Sequence, residues 1–242
     1  MRVVAFAALL LLSFVDSAQA ESSDQLAIAV ANDDPAMAQS VLNAGVDINA
    51  DLGQGRTPLI TAAMMTRPLM VKFLLEHGAD LNRESSDGAI GNALSAAFFA
   101  MNGVALTNDL DHPDPANHAA ALEVLRLIVA RKPNLNVLIR RGPTQMSPLM
   151  IASNAGVPDV VKVLLDGGAS PNFANGGKYT ALDYAVDRAP VWLPASASDR
   201  AEVVRLLIAA GAQTQKKAKD GLSPIERAHR AGNQAVIAAL SR

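Results

Sequence analysis

The residues best suited to chemistry lie in one short acidic stretch, which contains Asp109, Asp111, His112 and Asp114. Clustered carboxylate oxygens can neutralise a divalent cation such as Ca²⁺. The stretch lacks the glycine at the sharp bend and the distal bidentate glutamate of a calcium loop. Because prolines and asparagines surround these residues, the stretch is typical of a solvated polar loop, and we predict neither a metal site nor a cofactor.

Residue types that serve in catalysis are otherwise scarce. The chain contains no cysteine and therefore no thiol nucleophile. Its four histidines have no spacing typical of catalysis or of zinc binding; they are His77, His112, His118 and His229. The sequence contains no Gly-x-Ser-x-Gly turn around a nucleophile and no phosphate-binding glycine loop. The sequence therefore predicts a protein that is not an enzyme.

The elements that position the remaining residues can be read from a five-residue phrase that recurs along the chain. It reads Gly-Val-Asp-Ile-Asn at 45–49 and Gly-Ala-Asp-Leu-Asn at 78–82, and it recurs with changes at 132–136, 168–172 and 211–215. Each phrase closes an apolar helical pattern, and a second phrase follows it. The second phrases begin at Thr57-Pro58-Leu59, Asn92-Ala93-Leu94, Ser147-Pro148-Leu149, Thr180-Ala181-Leu182 and Ser223-Pro224-Ile225.

This pattern resembles the ankyrin repeat, in which Thr-Pro-Leu opens one helix and Gly-Ala-Asp-x-Asn follows another. The resemblance implies an all-α solenoid of about six helix-turn-helix units with short hairpin-like turns and two loop insertions. The units are expected at about 22–50, 51–83, 84–139, 140–173, 174–216 and 217–242, so that residues 21–242 form one repeat domain. Their second helices are predicted at 36–42, 68–76, 119–130, 159–165, 200–209 and 234–240.

The second repeat unit, residues 51–83, shows best how the pattern folds. Thr57 is expected to cap its first helix, and Gly78 to end its second helix by adopting a positive φ. The chain departs from the family pattern where a histidine often follows Pro-Leu. The five residues at that position are Ile60, Ser95, Met150, Asp183 and Glu226. We expect this loss to weaken the hydrogen-bonded link between neighbouring turns.

Residues 1–20 have the features of a cleaved secretory signal peptide. Arg2 precedes an apolar run from Val3 to Val15, and Ala18-Gln19-Ala20 has the form of a leader-peptidase site. The run is shorter than the roughly 20 residues that a membrane-spanning helix needs. We expect the mature chain to begin near Glu21. Together with the repeat pattern, this leader predicts a bacterial periplasmic protein, with secretion as the alternative.

The resemblance implies a protein that binds another protein through an extended surface. The formal net charge of −2 and the scattered basic residues argue against nucleic acid as the partner. Two small basic clusters, Arg140-Arg141 and 216–219, are interpreted as solvated loop charge. The role is predicted to be that of a scaffold or protective partner. The alternatives are an inhibitor or immunity protein, a secreted effector and, as a residual class, an enzyme.

By the same resemblance, partner contacts come from the hairpin tips and the exposed positions of first helices. These positions are Gln54, Arg56, Met64, Met65, Phe99, Met146, Asn154, Tyr179, Asp187 and Arg230. Met64, Met65 and Phe99 are either exposed anchors for a partner or residues that complete the interior. Both interpretations stay open at this point.

The two insertions, residues 101–118 and 188–198, both lie between the first and second helices of their units. They should therefore emerge from the same edge and flank the turn at 154–158, about 20 Å from one another. The second insertion holds the only tryptophan, Trp192, between Pro190 and Pro194. Trp192 is predicted either to anchor a partner in the cleft between the insertions or to cover the helices of its own unit.

Overall fold

The computed structural model describes residues 23–86, 91–101, 115–141, 144–187 and 196–241. The chain divides into two compact units, Met1–Ile128 and Val129–Arg242. Within the described ranges, every helix is too short or too polar to cross a membrane. The predicted signal peptide lies outside these residues.

The first unit consists of paired helices. They are α1 (23–31), α2 (Pro35–Asn43), α3 (Pro58–Met64), α4 (Pro68–Glu76), α5 (Ala93–Met101) and α6 (Pro115–Val129), whose last residue falls in the second unit. Helix α3 packs against α4 and α5, and α2 packs against α4. Leu59, Met70 and Leu74 are fully buried in this core.

The second unit begins with a short antiparallel hairpin of β1 (Ile139–Arg141) and β2 (Thr144–Met146), in which Ile139 pairs with Met146. Its helices are α7 (Pro148–Ala155), α8 (Pro158–Asp166), α9 (Ala181–Val186), α10 (Ala197–Ala209), α11 (Pro224–Ala231) and α12 (Gln234–Leu240). The first helices α7, α9 and α11 pack side by side in one layer, and α8, α10 and α12 pack in a second layer. Leu149, Leu164, Leu182 and Leu207 fill the space between them.

Local capping explains where the helices begin and end. The Thr57 Oγ1 atom accepts a hydrogen bond from the backbone N–H of Ile60, and Pro58 occupies the first helical position, as predicted. Gly78 follows α4 with a φ of 87°, which a residue without Cβ adopts at little cost. The predicted second helices agree closely with those observed, and two of them have the predicted bounds, Pro68–Glu76 and Gln234–Leu240.

The insertions are shorter than predicted at their described ends. Met101 is the last residue of α5, and Pro115 begins α6, so 115–118 form a first helical turn rather than a loop. Proline suits this position because the first turn of a helix needs no N–H donor from it. Ala197 begins α10 in the same way, with Ser196 as its N-cap. Residues 102–114 and 188–195 lie outside the described part of the chain.

Position N3 of three first helices closes a capping box, and these are positions where the family often has histidine. Met150, Asp183 and Glu226 each accept a hydrogen bond from the N-cap backbone N–H of their helix. The hydroxyls of Ser147 and Ser223 in turn accept from the N3 amide, whereas the Thr180 hydroxyl donates to Asp183. The replacement residues therefore stabilise their own helix starts.

Asparagine side chains link the turns of successive repeats within each of the two compact units. In each case the last residue of one phrase accepts, through Oδ1, a hydrogen bond from the backbone N–H of the third residue of the next phrase. The acceptor and donor pairs are Asn49 with Asp80, Asn136 with Ser170 and Asn172 with Gln213, at 2.8, 2.9 and 2.9 Å. These bonds connect neighbouring turns in a chain that lacks the usual histidine.

Candidate functional site

Among the described residues of the second compact unit, three ion pairs meet at Arg227, on the first-helix layer. The Arg227 side chain is only 9% exposed. Its Nε donates to Asp183 Oδ1 at 3.2 Å, its Nη2 pairs with Asp220, and its Nη1 lies 3.9 Å from Asp187 Oδ2. The guanidinium carbon stands 4.8 Å from the centre of the Tyr179 ring, so the cation also contacts an aromatic face.

The two closest carboxylates are each held by a local turn. Asp183, at N3 of α9, uses Oδ2 to accept from the N–H and the hydroxyl of Thr180, at 2.8 and 2.9 Å, which leaves Oδ1 for Arg227. Asp220 uses Oδ1 to accept from the N–H of Leu222 at 3.2 Å and Oδ2 for Arg227. Arg227 thereby joins α11 to the start of α9 and to the turn at 218–222.

Burial and charge act in opposite directions on this cluster. Burial alone lowers the pKa of Arg227, but the hydrogen bond and charge of Asp220, with those of Asp183, outweigh it and raise the pKa. Desolvation of Asp220 tends to raise its pKa, yet the hydrogen bond from Arg227 leaves that pKa below its ordinary value. The guanidinium and the Asp220 carboxylate are therefore charged at neutral pH.

A polar groove opens beside the cluster. It has a volume of about 530 Å³ and is lined by Asp187, Leu222, Arg227, Arg230 and Ala231. We call this the C-terminal groove. Arg230 is exposed in the last turn of α11, and among the described residues it forms no ion pair. The groove therefore combines a fixed, shielded cation with a second cation that is open to solvent.

A second buried cation holds one wall of the groove. Arg200, which is 4% exposed, donates to the carbonyl oxygen of Asn154 at 2.9 Å and to those of Ala185 and Asp187, each at 3.3 Å. These carbonyls belong to the C-terminal ends of α7 and α9, where the helix dipole favours a cation. Burial lowers the pKa of Arg200. Arg200 thus fixes the backbone that presents Asp187.

Models of a known repeat family match this repeating architecture. A model of three ankyrin repeats matches residues 7–102, and a model of a single ankyrin repeat matches 144–176. The chain belongs to the ankyrin repeat family. It is 27% identical to the putative ankyrin repeat protein YahD of Escherichia coli over 196 residues, which cover 72% of this chain and 89% of that protein.

Other ankyrin proteins share only part of their length with this one. The ankyrin repeat, SAM and basic leucine zipper domain-containing protein 1 of Dasypus novemcinctus is 28% identical over 149 residues, and the match covers 62% of this chain. The chain spans about a quarter of the length of such relatives, 27% in this case.

Two solved structures share the ankyrin fold with this chain at low sequence identity. An ankyrin repeat domain from Acinetobacter baumannii has a TM-score of 0.67 and 23% identity, and the match covers 89% of this chain and 95% of that one. A chain in the complex of a predatory endopeptidase from Bdellovibrio bacteriovorus with an immunity protein has a TM-score of 0.62 and 24% identity, covering 90% and 96%. The fold is thus that of ankyrin repeat solenoids, which serve as protein-interaction modules.

Three of the surface residues predicted from the ankyrin resemblance lie together in the second compact unit. Tyr179 packs on Arg227 at the floor of the cluster, while Arg230 and Asp187 line the C-terminal groove. Asn154 is half-buried, and its backbone carbonyl binds Arg200. Met146 was predicted at the surface, but it is 7% exposed, because β2 packs against α7 and removes this apolar side chain from water.

The predicted residues of the first ankyrin unit are placed separately. Arg56 follows a tight turn in which its N–H donates to the Gly53 carbonyl at 3.1 Å, and Met64 and Met65 end α3 with half-buried side chains. Half-burial leaves both interpretations of the methionines open. Phe99 belongs to α5, but its side chain is outside the described set.

Several predictions on this ankyrin chain concern residues that the structure does not describe. These are Trp192 with the cleft between the insertions, and the acidic stretch with Asp109, Asp111, His112 and Asp114. In the ranges that are described, no group of three or more His, Asp or Glu residues is placed to hold a metal ion.

Sequence reasoning missed the centre of the groove. The pattern Thr180-x-x-Asp183 was readable as a capping box, and it places a carboxylate at the start of α9. Arg227 carried no comparable signal, because its partner Asp183 is 44 residues away along the chain.

Proposed function

We propose that this protein is an exported ankyrin repeat module that binds another protein in the periplasm, as its scaffold or protective partner. The observation that carries the proposal is the C-terminal groove, in which the buried side chains of Arg227 and Arg200 tie a polar surface to neighbouring helices and turns. Preformed surfaces bind with less loss of conformational freedom. The family supports binding, and the apolar leader supports export.

Affinity capture tests the binding. The tagged full chain is expressed in its own source cells, and proteins retained from the cell envelope are identified by mass spectrometry. A second ankyrin repeat protein with the same tag serves as the matched control. We expect one envelope protein in near-equal amount with the chain and none with the control. Equal recovery with both baits would contradict a specific partner.

The same cells test the location. Intact-mass measurement of the envelope fraction should give a species that begins at or near Glu21. If the chain is found only with Met1 retained and inside the cell, the export part of the proposal is wrong. Recovery mainly from the culture medium would favour a secreted effector instead.

A second candidate function is inhibition of an enzyme. It is favoured by the likeness to a chain from the complex of an endopeptidase with an immunity protein. Adding the purified chain to the captured partner distinguishes the two roles. Loss of the partner's hydrolytic activity at equimolar amounts would indicate an inhibitor, whereas unchanged activity with greater resistance to heat would indicate a protective scaffold.

A further inference from the structure

The charges around the C-terminal groove are unevenly paired. Residues 174–187 and 216–231 contain six basic and four acidic side chains. Asp183 and Asp220 bond Arg227, Asp187 lies 3.9 Å from it, and Glu226 bonds Ser223 and pairs with Lys217 at 3.5 Å. The basic side chains that have no ion pair within the described ranges are Lys178, Lys216, Lys219 and Arg230, all exposed. We call these four the basic rim.

Two of the turns that carry the rim lie side by side, and one of them borders the groove. The N–H of Lys219 donates to the carbonyl of Gly177 at 2.9 Å, which places the turn at 218–222 beside the turn that carries Lys178. Leu222, from the turn of Lys219, lines the groove together with Arg230. Lys178 and Lys219, about 40 positions apart in the sequence, therefore lie on adjacent turns, in a chain whose net charge is −2.

Arg227 keeps unused donor capacity at the groove. Its Nε and Nη2 are taken by Asp183 and Asp220. Its Nη1 is 3.9 Å from Asp187 Oδ2, which is longer than a hydrogen bond, and the Asp187 side chain is 61% exposed. A guanidinium carries five N–H donors, and its planar fork matches a carboxylate. A carboxylate entering the groove can therefore be bound by Arg230 and by Nη1 of Arg227.

We infer that the C-terminal groove and the basic rim bind an acidic segment of the protein partner, in which aspartate or glutamate carboxylates contact Arg230 and Arg227. This inference rests on the proposed function and adds the chemistry of the partner. Asp187 lines the same groove and places a negative charge beside these cations. A protein segment can place a neutral or basic side chain against Asp187, whereas a nucleic-acid strand presents phosphates at a fixed spacing.

Fluorescence anisotropy with a defined probe tests the inference. The probe is a labelled ten-residue peptide of alternating glutamate and alanine, titrated with the full chain, and its control has glutamine in place of glutamate. We expect the glutamate peptide to bind at least about tenfold more tightly, and a rise from roughly 50 to 500 mM NaCl to weaken it by a similar factor, because salt screens exposed charges.

A pair of variants that remove the same charge locates the site. Arg230→Gln should weaken peptide binding by about fivefold or more, as expected for the loss of a charge-assisted contact. Arg205→Gln is the matched control, since Arg205 is on second helix α10 and is already paired with Glu202. The control should bind the peptide as the unaltered chain does. Equal weakening by both variants would overturn the inference, because the attraction would then be non-specific.

Two further measurements separate this inference from the proposed function. If a labelled single-stranded oligonucleotide binds more tightly than the peptide and Arg230→Gln abolishes that binding, the acidic protein segment is the wrong ligand. If the captured partner binds Arg230→Gln and the unaltered chain equally well, the inference fails while the proposed function stands. If Arg230→Gln specifically loses the peptide although no protein is captured, the groove chemistry stands and the proposed function fails.

Discussion

Removal of the Arg227 charge should destabilise the last ankyrin repeats. Arg227→Met keeps an apolar stem of similar length but leaves the carboxylates without their cation. Breaking a buried ion pair by deleting one partner typically costs about 3–5 kcal/mol. Asp220 and Asp187 are 35% and 61% exposed, so water can replace Arg227 at both. Only Asp183, at 3% exposure, remains buried, and it keeps two hydrogen bonds from Thr180.

The expected loss is therefore at or below the lower limit of that range, about 2–3 kcal/mol in the free energy of unfolding. Urea unfolding followed by circular dichroism measures it. Amide hydrogen exchange in α9 and α11 shows whether the loss is local, as expected for repeats that contact only their neighbours. Arg205→Met, which breaks an exposed pair with Glu202, should cost less than about 1 kcal/mol.

A double variant tests the cause. Asp183→Asn removes the buried charge that Arg227→Met leaves unpaired, while an amide oxygen can still accept from Thr180. Arg227→Met with Asp183→Asn should recover about 1 kcal/mol or more relative to Arg227→Met alone. If Arg227→Met costs less than about 0.5 kcal/mol, or if the double variant is less stable by the sum of the two single losses, the reasoning about a buried unpaired carboxylate is refuted.

Three other outcomes follow from contacts described above. Leu149→Ala, at a side chain 1% exposed between two helix pairs, should cost about 2–5 kcal/mol in urea unfolding, and Leu240→Ala in the last helix should cost less; the reverse order would contradict the repeat register. In Asp33→Gly, glycine suits the φ of 54°, but the substitution removes the 2.7 Å hydrogen bond from the Met70 N–H to the Asp33 carboxylate. Thermal melting should show that the free energy of unfolding falls by about 1 kcal/mol, and an unchanged value would mean that this cap does not stabilise α4. Hydrogen bonds from Ser223 lower the pKa of Glu226 below its ordinary 4.5, so the contribution of Glu226 to stability is present above pH 4.5 and is lost as the pH falls through the lower pKa of the folded state. The difference in unfolding free energy between the unaltered chain and Glu226→Gln should therefore shrink as the pH falls across that window, and a difference that grows would contradict this prediction.

The elements of the fold were largely predictable because they depend on short-range chemistry. Thr57-Pro58 and Gly78 act within one turn, so their type and position identify a helix start and a helix end. The same logic placed α4 and α12 at their observed bounds. The start of α6 at Pro115 was missed, since a proline among polar residues is as typical of a loop as of a first helical turn.

The site was predictable only where it coincided with a repeat position. Tyr179 and Arg230 were found because the family resemblance marks hairpin tips and exposed positions of first helices. The Asp33 side chain that caps α4 acts over 37 residues, and Arg200 reaches Asn154 over 46 residues. Such contacts depend on how helix pairs stack, which no local pattern encodes. The prediction for Met146 was wrong for the same reason, because the packing of β2 against α7 decided its burial.

The asparagine links between turns have a consequence for how such a chain can change. On the donor side each link uses only a backbone N–H, and the donor residues Asp80, Ser170 and Gln213 share neither size nor charge. Every residue except proline supplies that donor. The link itself therefore tolerates different side chains at the donor position, as long as the preceding asparagine is kept. An engineer could vary the binding face of one repeat while leaving its attachment to the previous repeat untouched.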